Sequence, residues 1–423
     1  MNQHYFGKLN EPEHLFSLLD DCELAVWKEI SPDSLTSYLS DLDGLEDLTE
    51  YARHEIGENR YRTYLVNEGG ILNVAYTAGD HSLRVVRDPL QGMGEWVLPP
   101  QVPAVRKKIC APALSVLPLD YSHRDLTDGN GMGFAILLED GSFILYDGGY
   151  PQDAEQLYCW LWEKTPLPNH RIVISAWILT HSHFDHYGCF RDFSRMFADR
   201  IYVRYFLLNP PPDREEIIRH SVYDAFLSTD FHRYAAQYEG AKKIRMHTGQ
   251  KLLMPGVELE VLQTFEDLLP LQIQWLNEVS LVTRLRIGGQ SLLFLADCEM
   301  QADRRIALFG DALSSDFVQV PHHAYSGGTP EIYRAIDPSY CLWTTNFESY
   351  AYRTLPAWRH GMFTDLLTKQ KVVGSFVADG AIKEIPLPLE DIRTVTYCQC
   401  RPMSEIEQKQ TFDEKEVLIR YDR

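Results

Sequence analysis

The chain has 423 residues, 45% hydrophobic and 12% aromatic, which is enough apolar material for one large domain or two without disulfide staples. Its formal net charge of -20 excludes a generally basic surface of the kind that collects polyanions. No apolar run reaches membrane-spanning length, and the start, MNQHYFGKLNEPEHLF, lacks a basic segment followed by an apolar one, so neither a signal peptide nor a membrane anchor is expected.

The eight cysteines are scattered without CxxC spacing, and Cys398 and Cys400 in TYCQCRP read as ordinary thiols. A reduced, cytoplasmic protein is the expectation. Residues 1–55 carry helical periodicity with acidic faces, first EPEHLFSLLDDCELAVWKEI and then SPDSLTSYLSDLDGLEDLTEYARHEI, with Ser31 and Ser34 as candidate caps. From residue 60 to 89 the pattern changes to short alternating runs separated by Gly-Gly and Gly-Asp turns, which predicts a β-meander. The Pro-rich stretch VLPPQVPAV, residues 97–105, closes an N-terminal module assigned to residues 1–105. That module shows no cluster of chemically active residues, and covering a domain edge, restricting a site mouth and dimerising all remain open to it.

A second domain is assigned to residues 108–390 and a tail to 391–423. Its first strand falls within 110–120. DGNGMGFAILLEDGSFILYDGG, residues 128–149, then predicts a glycine-rich loop and a hairpin turning at Asp140-Gly141. Residues 151–164 predict an aromatic-rich helix. RIVISAWILT, residues 171–180, is an apolar, β-branched strand, and residues 187–197 predict a helix. Between them WILTHSHFDHYG places His181, His183, Asp185 and His186 within six residues of a strand-to-helix loop. Along an extended chain His181 and His183 share a face and can grip one ion, while Asp185 and His186 turn the corner and can grip a second. Imidazole with carboxylate is zinc chemistry first.

Beyond the loop the sequence predicts the strand IYVRYFLL, an amphipathic region over 213–238, and the strands KKIRMHT and VELEVLQT. NEVSLVTRLRIGGQSLLFLADCE, residues 277–299, predicts two strands ending on Asp297, and DFVQVPHHAYSGG sets His322 and His323 at the exit of another. SYCLWTT predicts a strand, PAWRHGMFTDLLTKQ a helix, and SFVADGAIKEIPLP a closing hairpin. This alternation of strand and helix is that of a layered fold.

Taken in order, DGNGMG, YDGG, HSHFDH, NEVSLV with LAD, and VPHH resemble the metallo-β-lactamase superfamily, over roughly residues 110–385. The resemblance implies an α+β, four-layered αββα sandwich beside a small α/β N-terminal module. It also implies a dinuclear centre with two Zn2+ ions, Mn2+ or Fe being alternatives. His181 and His183 go to the first ion, Asp185 and His186 to the second, Asp297 to both, and His322 or His323 to the second. His322 is taken as the ligand, and His323 with Asp185 as catalytic. Asp147 is implied as an orienting residue behind a ligand histidine or the loop backbone. The HH pair is similar to the branch holding late-competence DNA-uptake proteins and choline-phosphate esterases, whose pattern is HHGS. Ala324 and Tyr325 depart from it. Many relatives add a third histidine at the first ion, for which His220, His232 and His247 are the candidates and His247, in RMHTGQK, the best placed.

The function so implied is dinuclear zinc hydrolysis by a hydroxide shared between the ions, on a small-molecule or short phosphodiester. Extended duplex nucleic acid is disfavoured by the net charge, because few cations lie near the ligands: Arg191, Arg195, Arg304 and Arg305. An acyl hydrolase acting on thioesters or lactams is the alternative. Iron-dependent oxidation would usually replace a ligand histidine with an acid, and no such swap is seen. A regulatory module without catalysis is opposed by the cost of keeping buried histidines and carboxylates unpaired.

Overall fold

A computed structural model describes residues 3–6, 9–90, 96–102, 107–117, 131–219, 227–357, 363, 366–367, 372–379 and 381–398. Its N-terminal part is a six-stranded antiparallel sheet with the spatial order His14–Ser17, Glu23–Trp27, Ser82–Asp88, Ile71–Thr77, Asn59–Val66, Leu48–Ile56. One helix, Pro32–Asp43, is capped by Ser31, whose hydroxyl accepts the Ser34 N–H at 3.1 Å. It lays Leu35, Tyr38 and Leu42 on Trp27, Tyr64 and Val85 of the sheet.

Residues 11–30 and 48–56 correct the helical expectation: the first form two strands and the second form the edge strand Leu48–Ile56. In ELAVW, Ala25 and Trp27 face the helix while Leu24 and Val26 face the rest of the molecule. A strand buried on both faces loses the polar alternation that would mark it, and the acidic flanks then mimic a helix.

Two further sheets stack face to face. The nine-stranded one runs Lys242–Arg245, Tyr205–Leu208, Ile172–Ile178, Phe143–Asp147, Gly133–Leu137, Ala113–Val116, Ile382–Pro386, Thr396–Cys398, with Ile201–Val203 also pairing on Ile172–Ile178. The seven-stranded one runs Lys251–Met254, Val257–Gln263, Val282–Ile287, Gln290–Phe294, Phe317–Gln319, Tyr340–Trp343, Gly374–Val377. Their inner faces share one core, in which the Tyr146 and Phe294 rings stack at 3.9 Å and the Tyr146 hydroxyl meets Thr283 Oγ1 at 2.6 Å. Helices Ala154–Lys164 and Phe184–Phe197 cover the outer face of the first sheet through Leu157, Trp160, Phe190 and Phe193. Helices Met300–Ile306 and Pro330–Ile336 cover the outer face of the second. Four layers, αββα, result. The second face of the N-terminal sheet packs into this last core through Leu24, Val26 and Val86.

Three more expectations change. SFVADGAIKEIPLP is no hairpin: Gly374–Val377 joins the seven-stranded sheet and Ile382–Pro386 the nine-stranded one, so the chain crosses between layers there. Leu276–Val279 is a 3₁₀ turn preceding its strand, and Phe347–Arg353 is a helix that the sequence pattern does not announce. Within 213–238 only Leu227–Ala235 is α-helical among the described residues. Most of PAWRHGMFTDLLTKQ, together with His220 and Cys400, lies outside the described residues. No described helix is long and apolar enough to cross a membrane.

Candidate metal centre

Strands Phe143–Asp147, Ile172–Ile178, Gln290–Phe294, Phe317–Gln319 and Tyr340–Trp343 all bring groups to the site at or just beyond their carboxyl ends, the position where open α/β sheets gather ligands. Ile172–Ile178 is buried throughout, and His183 directly precedes the helix Phe184–Phe197. Gly188 lets that helix close on the loop after Asp147, since a Cβ there would lie 2.6 Å from Pro151 Cδ.

Asp147 is fully buried and organises the first half of the site. Its Oδ1 accepts the Thr180 N–H at 2.8 Å, and its Oδ2 accepts the Thr180 hydroxyl at 2.7 Å and the His186 Nδ1–H at 2.8 Å. Because the Thr180 proton is spent on Asp147, the Thr180 oxygen accepts from His181 Nδ1 at 3.1 Å. Both His181 and His186 are thereby left with Nε2 as a bare lone pair. On the opposite side His323 donates Nδ1–H to the Thr344 carbonyl at 2.9 Å, which bares its Nε2 as well.

These bare atoms converge. His186 Nε2 and His323 Nε2 stand 3.2 Å apart, and His181 Nε2 stands 3.0 Å from His183 Nδ1. Asp297 Oδ2 is 3.2 Å from His186 Nε2, 3.5 Å from His323 Nε2 and 3.9 Å from His181 Nε2, while Asp185 Oδ2 is 3.1 Å from His323 Nε2. Asp297 Oδ1 is buried with no hydrogen-bond partner. Ser280 holds this strand end, accepting the Asp297 N–H at 3.1 Å and donating to the Asn277 carbonyl at 2.7 Å. Two ligand groups follow, His181, His183 and Asp297, and Asp185, His186, Asp297 and His323. They share Asp297, so electron-rich atoms on one buried carboxylate face two separate clusters. That donor set fits a pair of divalent cations.

The electrostatics point the same way. Burial lowers the proton affinity of His181, and its neighbours His186 and His183 lower it further. At His323 burial acts downward too, but Asp297 and Asp185 outweigh it and hold the ring up at about 9. Burial raises Asp297, yet His186 and His323 keep it well below the usual carboxylate range. The pocket stabilises positive charge at its centre.

The structure places the adjacent histidines the other way round from the expectation, with His323 rather than His322 in a candidate ligand group. His322, His323 and Ala324 all have positive φ, 45°, 50° and 65°, and this tight left-handed turn sends the two imidazoles apart. His323 enters the ligand group and is buried, whereas His322 has Nδ1 on Glu299 Oε1 at 2.8 Å and Nε2 3.9 Å from Asp297 Oδ2, with its side chain one-fifth exposed. Ser326 also bonds His322 Nδ1 and donates to Glu299 at 2.8 Å. Ser326 thus presents a hydroxyl to His322 one residue beyond the serine position of HHGS.

His247 lies outside both ligand groups. Its Nε2 lies 3.1 Å from Asp88 Oδ2 and its Nδ1 2.9 Å from Glu266 Oε1, with Arg245 bonded to the other oxygen of Asp88 at 3.0 Å. His232 sits edge-on to Trp96 at 5.9 Å. Of the expected cations, Arg195 pairs with Asp192, and Arg305 with Asp80 of the N-terminal sheet; Arg191 lies 5.5 Å from the Phe184 ring. Sequence reasoning missed Thr180, Thr344, Glu299 and Arg353, whose guanidinium donates to the His323 carbonyl. Only Glu299, two residues after Asp297, had a local signal.

Residues 128–309 match the sequence model of the family described as the Metallo-beta-lactamase superfamily. The fold is the metallo-β-lactamase fold. Solved structures similar to the chain include YhfI from Bacillus subtilis, a metallo-beta-lactamase fold protein, at 13% identity and TM-score 0.40 over 64% of this chain and 98% of that one. CmlA, a diiron beta-hydroxylase from Streptomyces venezuelae, is 12% identical with TM-score 0.36 over 67% and 55%. Zn(2+)-bound PqqB from Methylobacterium extorquens is 11% identical with TM-score 0.35 over 59% and 86%. No curated protein sequence matches the chain.

Proposed function

We propose that this metallo-β-lactamase-fold chain is a dinuclear zinc-dependent hydrolase whose substrate is a small or short phosphodiester. The observation that carries the reading is Asp297: one buried carboxylate common to both ligand groups, with its second oxygen unpartnered. When bound, a pair of divalent ions lowers the pKa of water and offsets negative charge on the scissile group. The residues prepare that chemistry. Asp147 and Thr344 fix the histidine tautomers, Ser280 fixes the bridging aspartate, and Asp185, partly exposed, reaches the opening where a water proton can be taken up. His322, held by Glu299 at the same opening, is the side chain placed to exchange a proton with the leaving oxygen. The resemblance of the HH pair to phosphodiesterases supports a phosphorus ester over an acyl group.

The test joins metal analysis to turnover. We expect two equivalents of zinc per chain, and hydrolysis of bis(p-nitrophenyl) phosphate and of short single-stranded oligonucleotides in preference to plasmid. Lactam or thioester turnover without phosphodiester turnover would move the protein to the acyl hydrolases, and one ion or none would remove the dinuclear reading.

A further inference from the structure

The opening of the metal centre is marked by Asp185, His322 and Glu299, whose side chains are about one-fifth exposed while His181, His186, Asp147 and Asp297 are buried. Large apolar side chains in a globular protein are spread singly over the surface, and a concentration of them marks a contact face. Among the described residues, several of the exposed ones sit on the segments that carry the site residues. Phe184 stands between His183 and Asp185 and is 51% exposed. Met300, 71% exposed, follows Glu299, and Trp275 lies two residues before Asn277, whose amide touches His322 at 3.2 Å. The segments that carry Met300 and Trp275 meet, because the Gln301 side chain accepts the Gln274 N–H at 3.1 Å and donates to the Gln272 carbonyl. The exposed Tyr325 ring lies 5.4 Å from His322, and the Arg353 guanidinium 5.5 Å from Tyr325. Phe347, also exposed, begins the helix that starts three residues after Thr344, the residue holding His323.

A substrate with its scissile group on the ligand clusters has the segments of Phe184 and Tyr325 beside it. We infer that Phe184, Tyr325, Trp275 and Met300 form an apolar specificity rim, and that the substrate carries an aromatic or similarly flat apolar substituent next to its scissile ester. The inference rests on the metal-dependent reading of the site and adds the class of group attached to the ester. Charge agrees with it. Arg191 lies against Phe184 and Arg353 against Tyr325 and the His323 carbonyl, and with Arg195 and Arg305 paired elsewhere the rim offers an extended polyanion little to follow.

Turnover of aryl and alkyl esters would confound binding with leaving-group reactivity, so the test is equilibrium binding. Phenylphosphonate and methylphosphonate are titrated by calorimetry into the full zinc-loaded chain. Both offer the same anionic oxygens to the metals and differ in the apolar group alone. We expect phenylphosphonate to bind about tenfold or more tighter, the order expected for covering most of one ring. Phe184→Ala and Tyr325→Ala should each cut that preference several-fold while leaving methylphosphonate affinity and zinc content unchanged. Equal affinity for the two ligands would overturn the rim, as would a preference indifferent to both substitutions; sedimentation of the same samples would then show whether a second copy of the chain covers the face instead. Failure of the hydrolase reading shows differently, as loss of zinc binding or an absence of phosphodiester turnover with the aryl preference intact.

Discussion

Among the described residues two buried histidine-carboxylate clusters stand out, and their difference separates a structural lock from a site. At His247 each ring nitrogen meets a carboxylate, Asp88 on one side and Glu266 on the other, and Arg245 balances the charge. The protein supplies every proton and charge the cluster needs. At His186 one nitrogen donates to Asp147, but the other faces a second imidazole nitrogen and the carboxylate of Asp297, whose Oδ1 has no partner. The first arrangement is closed; the second leaves a buried carboxylate oxygen without a partner, which is where a cation would fit. Residue composition is nearly the same in both, so the deciding quantity is where each second nitrogen points.

The comparison breaks most sharply at Asp297. Asp297→Ala removes the one carboxylate common to both ligand groups, and bound zinc should fall from two equivalents toward one or none. Turnover should drop by about a thousandfold or more, with the folded circular dichroism spectrum retained. Full zinc occupancy in that variant, read by atomic emission, would mean the cluster is as self-sufficient as the one at His247.

The closed cluster gives the next effect, on stability. Asp88→Ala leaves Arg245 and His247 buried with one carboxylate fewer, which should cost about 3–5 kcal/mol in chemical denaturation while zinc content is unchanged. The pH dependence has a definite sign. Burial lowers His247, but Glu266 and Asp88 raise it from 6.5 to about 9, so its contribution is full below about 6.5 and lost as pH climbs through about 9. Burial raises Asp88 and its bond to His247 brings it down to about 2, so that contribution is present above about 3.8 and lost as pH falls through 2. Melting temperature of the wild type should therefore decline between pH 7 and 9.5 more steeply than that of Asp88→Asn. A fragment beginning at Lys108 loses Asp20 and Asp88 together and should be less stable than either variant.

Much of this was legible beforehand. HxHxDH is a local pattern, and an apolar strand ending in an acid marks Asp297, so the ligand loop and the layered fold were accessible from order and spacing. What escaped was decided at long range. Whether His322 or His323 turns inward depends on three successive left-handed residues, and whether His247 binds a metal depends on Asp88, 159 residues away. Residues 11–30 misled because both faces of Glu23–Trp27 are covered, and no local pattern tells that Gly374–Val377 and Ile382–Pro386 enter different sheets.

Asp147 probes how much of the open cluster is arranged in advance. Asp147→Asn keeps the shape but presents an amide NH2 to groups that themselves donate, so His186 and Thr180 lose a common acceptor. Zinc affinity should weaken by about 10- to 100-fold in competition with a chelator, without the stability loss of Asp88→Ala. An unchanged affinity would place the ordering of these rings in the cations themselves.

His322 is intermediate between the two clusters, with one nitrogen tied to Glu299 and the ring edge open to solvent and to Asp297. Burial raises Glu299, and its bond to His322 brings it back below its ordinary value, so at neutral pH it is a carboxylate and holds His322 by a charged hydrogen bond. Glu299→Gln keeps the length and one acceptor oxygen while removing the charge. Since neither residue belongs to a ligand group, zinc content should stay at the wild-type level. If Glu299 acts by positioning His322, kcat should fall by about tenfold with KM little changed, and combining Glu299→Gln with His322→Gln should be no worse than His322→Gln alone, as expected for residues working as one unit. Additive losses would separate them, and a fall in zinc would make His322 and Glu299 part of the metal centre.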